Sequence, residues 1–186
     1  TLPGLVTGDT SMTLRLSTKQ DSYLMQNVIV SVPTADVSIY KTAANGDPFQ
    51  VLLPGQAPTF KITVYNSGGG APVTNAVVTD QQVPGCSTTA GQIPTLAIGA
   101  SYSYTCTAPA TNIGYTNRAS VTALSAGIQL QNSNTTDVQV ATMNFAKTAK
   151  NPDVPYGTPG TYVMTIVNTG SAELRNVTVS DPSFPT

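Results

Sequence analysis

The chain has 186 residues, a formal net charge of −1 at pH 7 and only 9% charged residues, far below the share usual in soluble domains. A surface with so little positive charge does not bind nucleic acid or an anionic membrane electrostatically, which excludes both classes of partner. Because the sequence has no histidine, it lacks Ser-His-Asp and Cys-His nucleophile systems and histidine-ligated metal sites. We therefore predict no catalytic site, no cofactor and no metal centre.

No stretch of the sequence approaches the roughly 18 apolar residues that a membrane helix needs, so membrane insertion is not expected. Residues 1–4 carry no signal peptide, and we expect any export signal to lie upstream of this segment. The threonine-rich, lysine-poor composition and the pair of cysteines favour an extracellular or cell-surface location over a cytosolic one.

Apolar and polar residues alternate with a period of two along much of the chain, which predicts β-strands. Turn-forming pairs such as Pro54-Gly55 and Pro84-Gly85 separate these runs. The pattern predicts an all-β protein made of immunoglobulin-like antiparallel β-sandwiches. The predicted inward faces are Val37, Ile39 and Lys41; Phe60, Ile62 and Val64; Ala76, Val78 and Asp80; Tyr102, Tyr104 and Cys106; and Asn117, Ala119, Val121 and Ala123.

Three blocks of sequence recur in the same order, which indicates an internal repeat. Residues 41–43 recur as 147–149, the block 59–68 resembles 161–170, and the block 74–80 resembles 175–181. The second copy contains only the front half of the repeat, while the start of the chain resembles its back half. The predicted division is a back half repeat at 1–35, a complete repeat at 36–124, an insertion, linker or added strand at 125–137, and a front half repeat at 138–186.

Neither half repeat has enough strands to bury its apolar face alone, whereas the two halves joined end to front make one complete domain. Either the segment is one period of a longer tandem chain, or the tail half of one subunit docks on the head half of the next. Both alternatives predict a linear polymer of sandwiches whose partners are copies of the same chain. The sequence does not indicate a receptor or a carbohydrate ligand.

The blocks at 59–68 (Thr-Phe-Lys-Ile-Thr-Val-Tyr-Asn-Ser-Gly), 75–80 (Asn-Ala-Val-Val-Thr-Asp) and 117–122 (Asn-Arg-Ala-Ser-Val-Thr) resemble a conserved repeat domain of unknown function. That domain occurs in tandem in large bacterial and archaeal surface proteins, and its sandwich is similar to the isopeptide cross-linked domains of Gram-positive adhesins and pili. The resemblance covers 36–124 well and the flanking halves moderately. It implies an extracellular structural protein that forms a filament, stalk or sheath. The alternative is a spacer region of a large adhesin whose binding domain lies elsewhere.

The predicted inward faces place three polar residues, Lys41, Asp80 and Asn117, in an apolar core. Burial disfavours charged forms, so a neutral amine can attack a carboxamide while a protonated carboxyl polarises its carbonyl oxygen. The product is an isopeptide bond and free ammonia. The resemblance implies this chemistry here, with Lys41 as nucleophile, Asp80 as proton donor and Asn117 as acceptor. The alternative is a buried Lys-Asp pair in which Asn117 satisfies the remaining donors and no bond forms.

A second candidate set consists of Lys147, Asp181 and Asn27. Its asparagine lies in the back half repeat and its lysine and aspartate lie in the front half repeat. If separate subunits complement each other, a bond between Lys147 and Asn27 would join them covalently.

Two further kinds of modification are predicted. Cys86 follows a strand and Cys106 lies on an inward face, so we expect a disulfide, which would contribute about 3 kcal/mol by restricting the unfolded chain. The alternative is a pair of buried thiols in a reducing compartment. Asn134 and Asn176 each begin an Asn-x-Thr sequon and are candidate N-glycosylation sites.

Overall fold

A computed structural model of the protein describes residue 19 and residues 34–182. This part of the chain is nearly all-β, with nine strands, one 3₁₀ turn at Pro84–Cys86 and no α-helix. None of its described segments is a helix long and apolar enough to cross a membrane. The strands are β1 (Ser38–Ala43), β2 (Phe49–Leu52), β3 (Thr59–Tyr65), β4 (Val73–Asp80), β5 (Ser101–Thr107), β6 (Tyr115–Ser125), β7 (Ile128–Val140), β8 (Met143–Ala149) and β9 (Tyr162–Asn168).

The first seven strands form two sheets that enclose the core. One sheet has the order β1-β3-β5 and is antiparallel throughout. The other has the order β2-β7-β6-β4; β7, β6 and β4 are antiparallel, while β2 runs parallel to β7. Buried side chains of both sheets belong to a single apolar cluster, so the arrangement is consistent with a β-sandwich.

The period-two alternation of the sequence is the burial pattern of most strands, as predicted. Inward-facing residues of β1, β3, β4 and β6 are buried, and their neighbours in sequence are more exposed. The inward residues of β5, which lies at the edge of its sheet, are only half-buried. The buried set includes the three polar residues that the alternation places inside: Lys41, Asp80 and Asn117.

Most of the segment 125–137, predicted to be an insertion, a linker or an added strand, belongs to β7. β7 pairs with the whole of β6, from Tyr115 opposite Val138 to Ser125 opposite Ile128. The structure therefore has a strand here, and the predicted boundary at residue 138 falls inside it. The reason is that the side chains of β7 that face β1 are polar, so the strand lacks the apolar alternation on which the sequence prediction depends.

Three polar side chains of β7 close the sandwich along β1. Asn132 Nδ2 donates to the carbonyl oxygen of Val37 at 2.9 Å, and Asn134 Oδ1 accepts from the backbone N–H of Lys41 at 3.0 Å. The Thr136 hydroxyl donates to the carbonyl oxygen of Lys41. Because β1 is the edge of its sheet, these side chains satisfy backbone groups that a neighbouring strand would otherwise pair. They thereby fix the position of Lys41.

β8 and β9 form a separate two-stranded antiparallel sheet. Unlike the inward residues of the sandwich, every residue of these two strands is exposed. A two-stranded sheet with an uncovered apolar face is at best marginally stable in water. The large apolar residues on this face are Met143, Phe145, Tyr162, Met164 and Ile166, which are 55%, 52%, 44%, 42% and 38% exposed.

We predict that Thr136→Val lowers the free energy of unfolding by about 1–3 kcal/mol, because the variant removes the buried donor to the Lys41 carbonyl oxygen and keeps the side-chain volume. Chemical denaturation measures the change. Thr135→Val is the matched control, since Thr135 is exposed on the same strand and its substitution should change stability by less than about 0.5 kcal/mol. Equal losses in the two variants would contradict the role given to Thr136.

Candidate functional site

Lys41 and Asp80 form a buried ion pair between the two sheets. Lys41 extends inward from β1, and its Nζ donates a hydrogen bond to Asp80 Oδ2 at the end of β4. Neither side chain has any exposed surface. The other carboxylate oxygen, Asp80 Oδ1, accepts the backbone N–H of Val83 at 2.9 Å, and Lys41 Nζ lies 4.3 Å from the centroid of the Phe60 ring. The amine is thus held between an aromatic ring and a carboxylate that is itself fixed by a turn.

The surroundings of Lys41 favour its neutral, nucleophilic form. Burial lowers the pKa of Lys41 below its ordinary value, and the hydrogen bond and charge of Asp80 oppose this effect only in part. Nucleophilic attack needs the lone pair of the neutral amine. Burial also raises the pKa of Tyr104 and of Tyr115, and the charge of Asp80 adds to this effect. The two phenols therefore remain neutral beside the pair.

Asn117 lies on β6, on the same face as Ala119, the residue opposite Asp80. Its side chain is fully buried, and among residue 19 and residues 34–182 neither its amide nitrogen nor its amide oxygen has a hydrogen-bond partner. An unsatisfied buried amide costs about 1–3 kcal/mol, so such groups are rare in native proteins. The structure lacks the hydrogen bond from Lys41 to Asn117 that the unreactive interpretation requires.

The order of the strands places Asn117 on the strand between the two that flank the Lys41–Asp80 pair in the facing sheet. β1 lies against β7 and also contacts β6 across the core. In the facing sheet, β6 separates β7 from β4. A lysine that starts beside β7 and ends at Asp80 on β4 therefore passes over β6, the strand that carries Asn117. The amine and the carboxyl group are in contact, and the carboxamide of Asn117 is buried on the strand between β7 and β4.

The residue types in this core are those that amide-bond formation would need. In such a reaction the neutral Lys41 amine would attack Cγ of Asn117 while the Asp80 carboxyl group would donate a proton to the carboxamide oxygen. Collapse of the tetrahedral intermediate would break the Cγ–Nδ2 bond and release ammonia, which would leave with a proton from the amine. Asp80 would regain its proton, so one amine and one primary amide would become one secondary amide and ammonia. Burial would also keep water away from the intermediate.

Lys147 and Asp181 of the second candidate set are in contact as well. Lys147 Nζ donates a hydrogen bond to Asp181 Oδ2 and lies 4.4 Å from the centroid of the Tyr162 ring. The side chains of Lys147 and Asp181 are 29% and 14% exposed, whereas those of Lys41 and Asp80 are 0% exposed. The third member, Asn27, lies outside the described residues.

The disulfide between Cys86 and Cys106 is present, and the described residues contain no free cysteine. Of the two sequons, Asn134 is half-buried with its side chain bonded to β1, whereas Asn176 is exposed. The described part of the chain holds no group of three or more side chains suited to bind a metal ion.

Three contacts of the Lys41 site were not predicted from the sequence. They are the ring of Phe60, the backbone N–H of Val83, and the hydroxyl of Ser87, which accepts the N–H of Asp80 at 2.9 Å. A signal for the ring existed, because the repeated blocks carry an aromatic residue at positions 60 and 162. The other two contacts depend on how the turn after β4 folds back, which no local pattern reveals.

No protein-family model matches the sequence, and no curated protein matches it. Among solved structures, the chain is similar to a Pseudomonas fluorescens alkylpurine DNA glycosylase, AlkC, bound to DNA containing an abasic site analog. The match has 17% identity and a TM-score of 0.26, and it covers 56% of this chain and 30% of that one.

We predict that the intact protein has lost the mass of one ammonia molecule, about 17 Da, for the bond between Lys41 and Asn117. Intact mass spectrometry of the reduced monomer measures this loss, because reduction restores the two hydrogen atoms of the disulfide and leaves an amide intact. Lys41→Met, Asp80→Ala and Asn117→Ala should each show the full sequence mass, because each removes a reacting or proton-donating group. Asn112→Ala is the control, since this exposed asparagine should leave the loss unchanged. A wild-type mass equal to that of the sequence would end the cross-link hypothesis.

The lowered pKa of Lys41 predicts how the rate of bond formation depends on pH. Unfolded chain from inclusion bodies is diluted from denaturant into buffers of increasing pH, and the fraction that has lost ammonia is followed by mass spectrometry. The reactive state, a neutral amine beside a protonated carboxyl group, carries the same number of protons as the ion pair, so the rate should fall when the pair loses that proton. Because the pKa of Lys41 is lowered, the fall should occur below 10.5, the ordinary value for lysine. A rate that does not fall until the pH exceeds 10.5 would show that the folded chain does not shift this pKa.

Proposed function

We propose that this chain is an extracellular structural protein made of immunoglobulin-like sandwiches joined head to tail in a filament, stalk or sheath, with Lys-Asn amide bonds that lock the sandwiches. One observation carries the proposal. The unit formed by β8, β9 and Asp181 has the same geometry as that formed by β1, β3 and Asp80, yet its apolar face is exposed.

The two strand pairs share the same register. Lys41 lies opposite Ile62 in the first pair, and Lys147 lies opposite Met164 in the second. Each lysine donates to the aspartate that ends the third repeated block, and each contacts an aromatic ring. Because a slip of one residue would turn every side chain to the other face, the shared register supports a true structural repeat.

The turns that follow the paired strands also correspond. Asn66 and Asn168 each accept the backbone N–H of the glycine two residues later and donate to a carbonyl oxygen in the next turn. Asn75 and Asn176, in the third repeated block, both have left-handed backbones with φ of 51° and 55°. This conformation is uncommon for residues other than glycine, so its occurrence at matching positions adds to the support.

The connection from the sandwich to the β8–β9 unit is short and tightly bonded. Between Val140, which ends β7, and the start of β8 there are only two residues. The N–H groups of Gly170 and Ser171 fold back and donate to the carbonyl oxygens of Thr142 and Val140 at 3.1 and 2.9 Å. A Cβ atom at Gly170 would lie 2.2 Å from the Val140 carbonyl oxygen, so the loop fits only as glycine.

The same connection occurs where the described chain enters the sandwich. The N–H groups of Gly68 and Gly69 donate to the carbonyl oxygens of Asp36 and Thr34 at 3.2 and 3.0 Å. A Cβ atom at Gly68 would lie 2.5 Å from the backbone nitrogen of Asp36. Two matching joints support successive units that follow each other with one fixed geometry, as a linear assembly requires.

The exposed face of β8 and β9 requires a covering layer. The corresponding residues of the sandwich, such as Phe60 and Ile62, are 0% exposed because the second sheet covers them, whereas Tyr162 and Met164 are 44% and 42% exposed. Residues 1–35 carry the sequence pattern of the missing back half. We infer that this segment of a second copy completes the unit by strand complementation.

We predict that Phe145→Glu and Ile166→Glu prevent assembly, because a buried unpaired carboxylate is strongly unfavourable at the proposed interface. The wild-type chain should form oligomers whose mean mass grows with concentration in analytical ultracentrifugation, and both variants should remain monomers with an unchanged central sandwich. Thr165→Glu is the matched control, since Thr165 lies on β9 between the inward positions and faces the other side. Wild-type monomers at every concentration would refute the head-to-tail assembly.

The covalent part of the proposal is tested on the same oligomers with a denaturing gel after boiling in reductant. A ladder of bands should survive in the wild-type protein and disappear in Lys147→Met and in Asn27→Ala, while Lys41→Met should keep it. If the oligomers separate into single chains on this gel, the chains assemble without a covalent bond at Lys147.

A further inference from the structure

The disulfide lies directly beside the residue that donates the proton in the proposed reaction. The turn after β4 starts at Asp80 and reaches the 3₁₀ turn Pro84–Cys86, whose last residue is bonded to Cys106 on β5. The Tyr104 hydroxyl, also on β5, donates to the carbonyl oxygen of Cys86 at 2.7 Å. One covalent bond and one hydrogen bond therefore attach this turn to the opposite sheet.

The turn in its bonded position holds Asp80 at three points. Asp80 Oδ1 accepts the N–H of Val83 at 2.9 Å, the N–H of Asp80 donates to Ser87 Oγ at 2.9 Å, and Ser87 Oγ donates to the Asp80 carbonyl oxygen at 3.4 Å. These contacts leave Oδ2 directed at Lys41. Since Val83 and Ser87 flank Cys86 within the turn, the position of Cys86 decides where both partners of Asp80 lie.

The other end of the disulfide lies on the strand that pairs with the strand of the aromatic residue in the site. Cys106 is opposite Phe60 in the pairing of β5 with β3, and the Phe60 ring contacts Lys41 Nζ. The disulfide thus connects the turn that orients the carboxyl group to the strand pair that supports the amine. Cys86 is fully buried, so the bond is part of the core around the site.

We propose that the Cys86–Cys106 disulfide is a positioning element for amide formation, so that oxidation of the two thiols by exchange with a small disulfide, which is itself reduced to two thiols, precedes and accelerates the bond between Lys41 and Asn117. This inference rests on the proposed cross-link. The disulfide is not consumed: the reaction still converts the Lys41 amine and the Asn117 carboxamide to a secondary amide and ammonia, with no change of oxidation state. The consequence is an order of events in which the chain becomes cross-linked rapidly only in an oxidising environment.

The test compares rates of ammonia loss after refolding from denaturant, followed by intact mass spectrometry. Oxidised wild-type chain should react about 10- to 100-fold faster than the same chain kept in a dithiol reductant or the variant Cys86→Ala/Cys106→Ala, because small misplacements of reacting groups cost rate factors of this size. Removal of the reductant and reoxidation of the wild-type chain should restore the fast rate. Near-ultraviolet circular dichroism verifies that each sample has refolded.

Two controls separate positioning from general stability. Val73→Ala removes buried volume at the end of β4 remote from Asp80 and should lower stability without slowing the reaction. Ser87→Ala keeps the disulfide but removes a contact of Asp80, so it should slow the reaction. If the cysteine-free chain does not refold, the rate of this variant is used to test the role of the turn. Equal rates with and without the disulfide, or equal slowing by Val73→Ala, would overturn the inference while the cross-link stands. A complete absence of ammonia loss in the oxidised wild-type chain would instead refute the cross-link itself.

Discussion

The structure depends on an ion pair placed where ion pairs are least favourable. Lys41 and Asp80 are both fully buried in an apolar core, and removing two charges from water costs several kcal/mol per ion before their attraction is counted. A pair of well-packed apolar residues would often be at least as stable in this position. Stability alone therefore does not account for these residues. The proposed amide bond would account for them, because it would replace the amine and the carboxamide of Asn117 by one uncharged group.

The same reasoning applies to the second lysine and aspartate. Lys147 and Asp181 adopt the contact of the first pair on a sheet whose apolar face is still exposed. Burial of such a face normally provides much of the free energy of folding, at about 25 cal/mol per Å² of apolar surface. A unit with half of its strands is therefore expected to gain the other half from a neighbour. In the proposed assembly the completed unit would bring Lys147 into the dry environment that Lys41 already has.

The sequence was sufficient to predict the residues of the Lys41 site because that site lies on strands with clear alternation. On β1, β4 and β6, the inward positions before the last residue of β6, Ser125, are apolar except for Lys41, Asp80 and Asn117. The direction of each polar residue therefore follows from the apolar residues on either side of it. The segment 125–137 was predicted to be an insertion, a linker or an added strand, and its side chains toward β1 are Asn132, Asn134 and Thr136. Their role is to satisfy the edge of β1, and hydrogen bonds between distant strands leave no periodic signal.

Sequence patterns also did not predict the hydrogen bonds between Asp80 and the turn after β4. The cysteines predicted a disulfide, but nothing local indicates that Val83 and Ser87 on either side of Cys86 would both contact Asp80. Such contacts depend on the tertiary position of the turn relative to β5. Residue propensity and alternation are properties of single strands. They therefore predict which way a side chain points, but they do not predict which residues it contacts.

The proposed amide and the disulfide would act at different stages, because they connect different positions along the chain. In a head-to-tail assembly, tension enters the sandwich near β1 and leaves at the end of β7. An amide between Lys41 and Asn117 would carry that tension from β1 to β6, so residues 42–116 would bear none of it. The disulfide between Cys86 and Cys106 lies wholly inside this protected segment. It would therefore add nothing to the resistance of the finished filament to pulling. The disulfide would act earlier, by holding the turn after Asp80 in position while the amide between Lys41 and Asn117 forms.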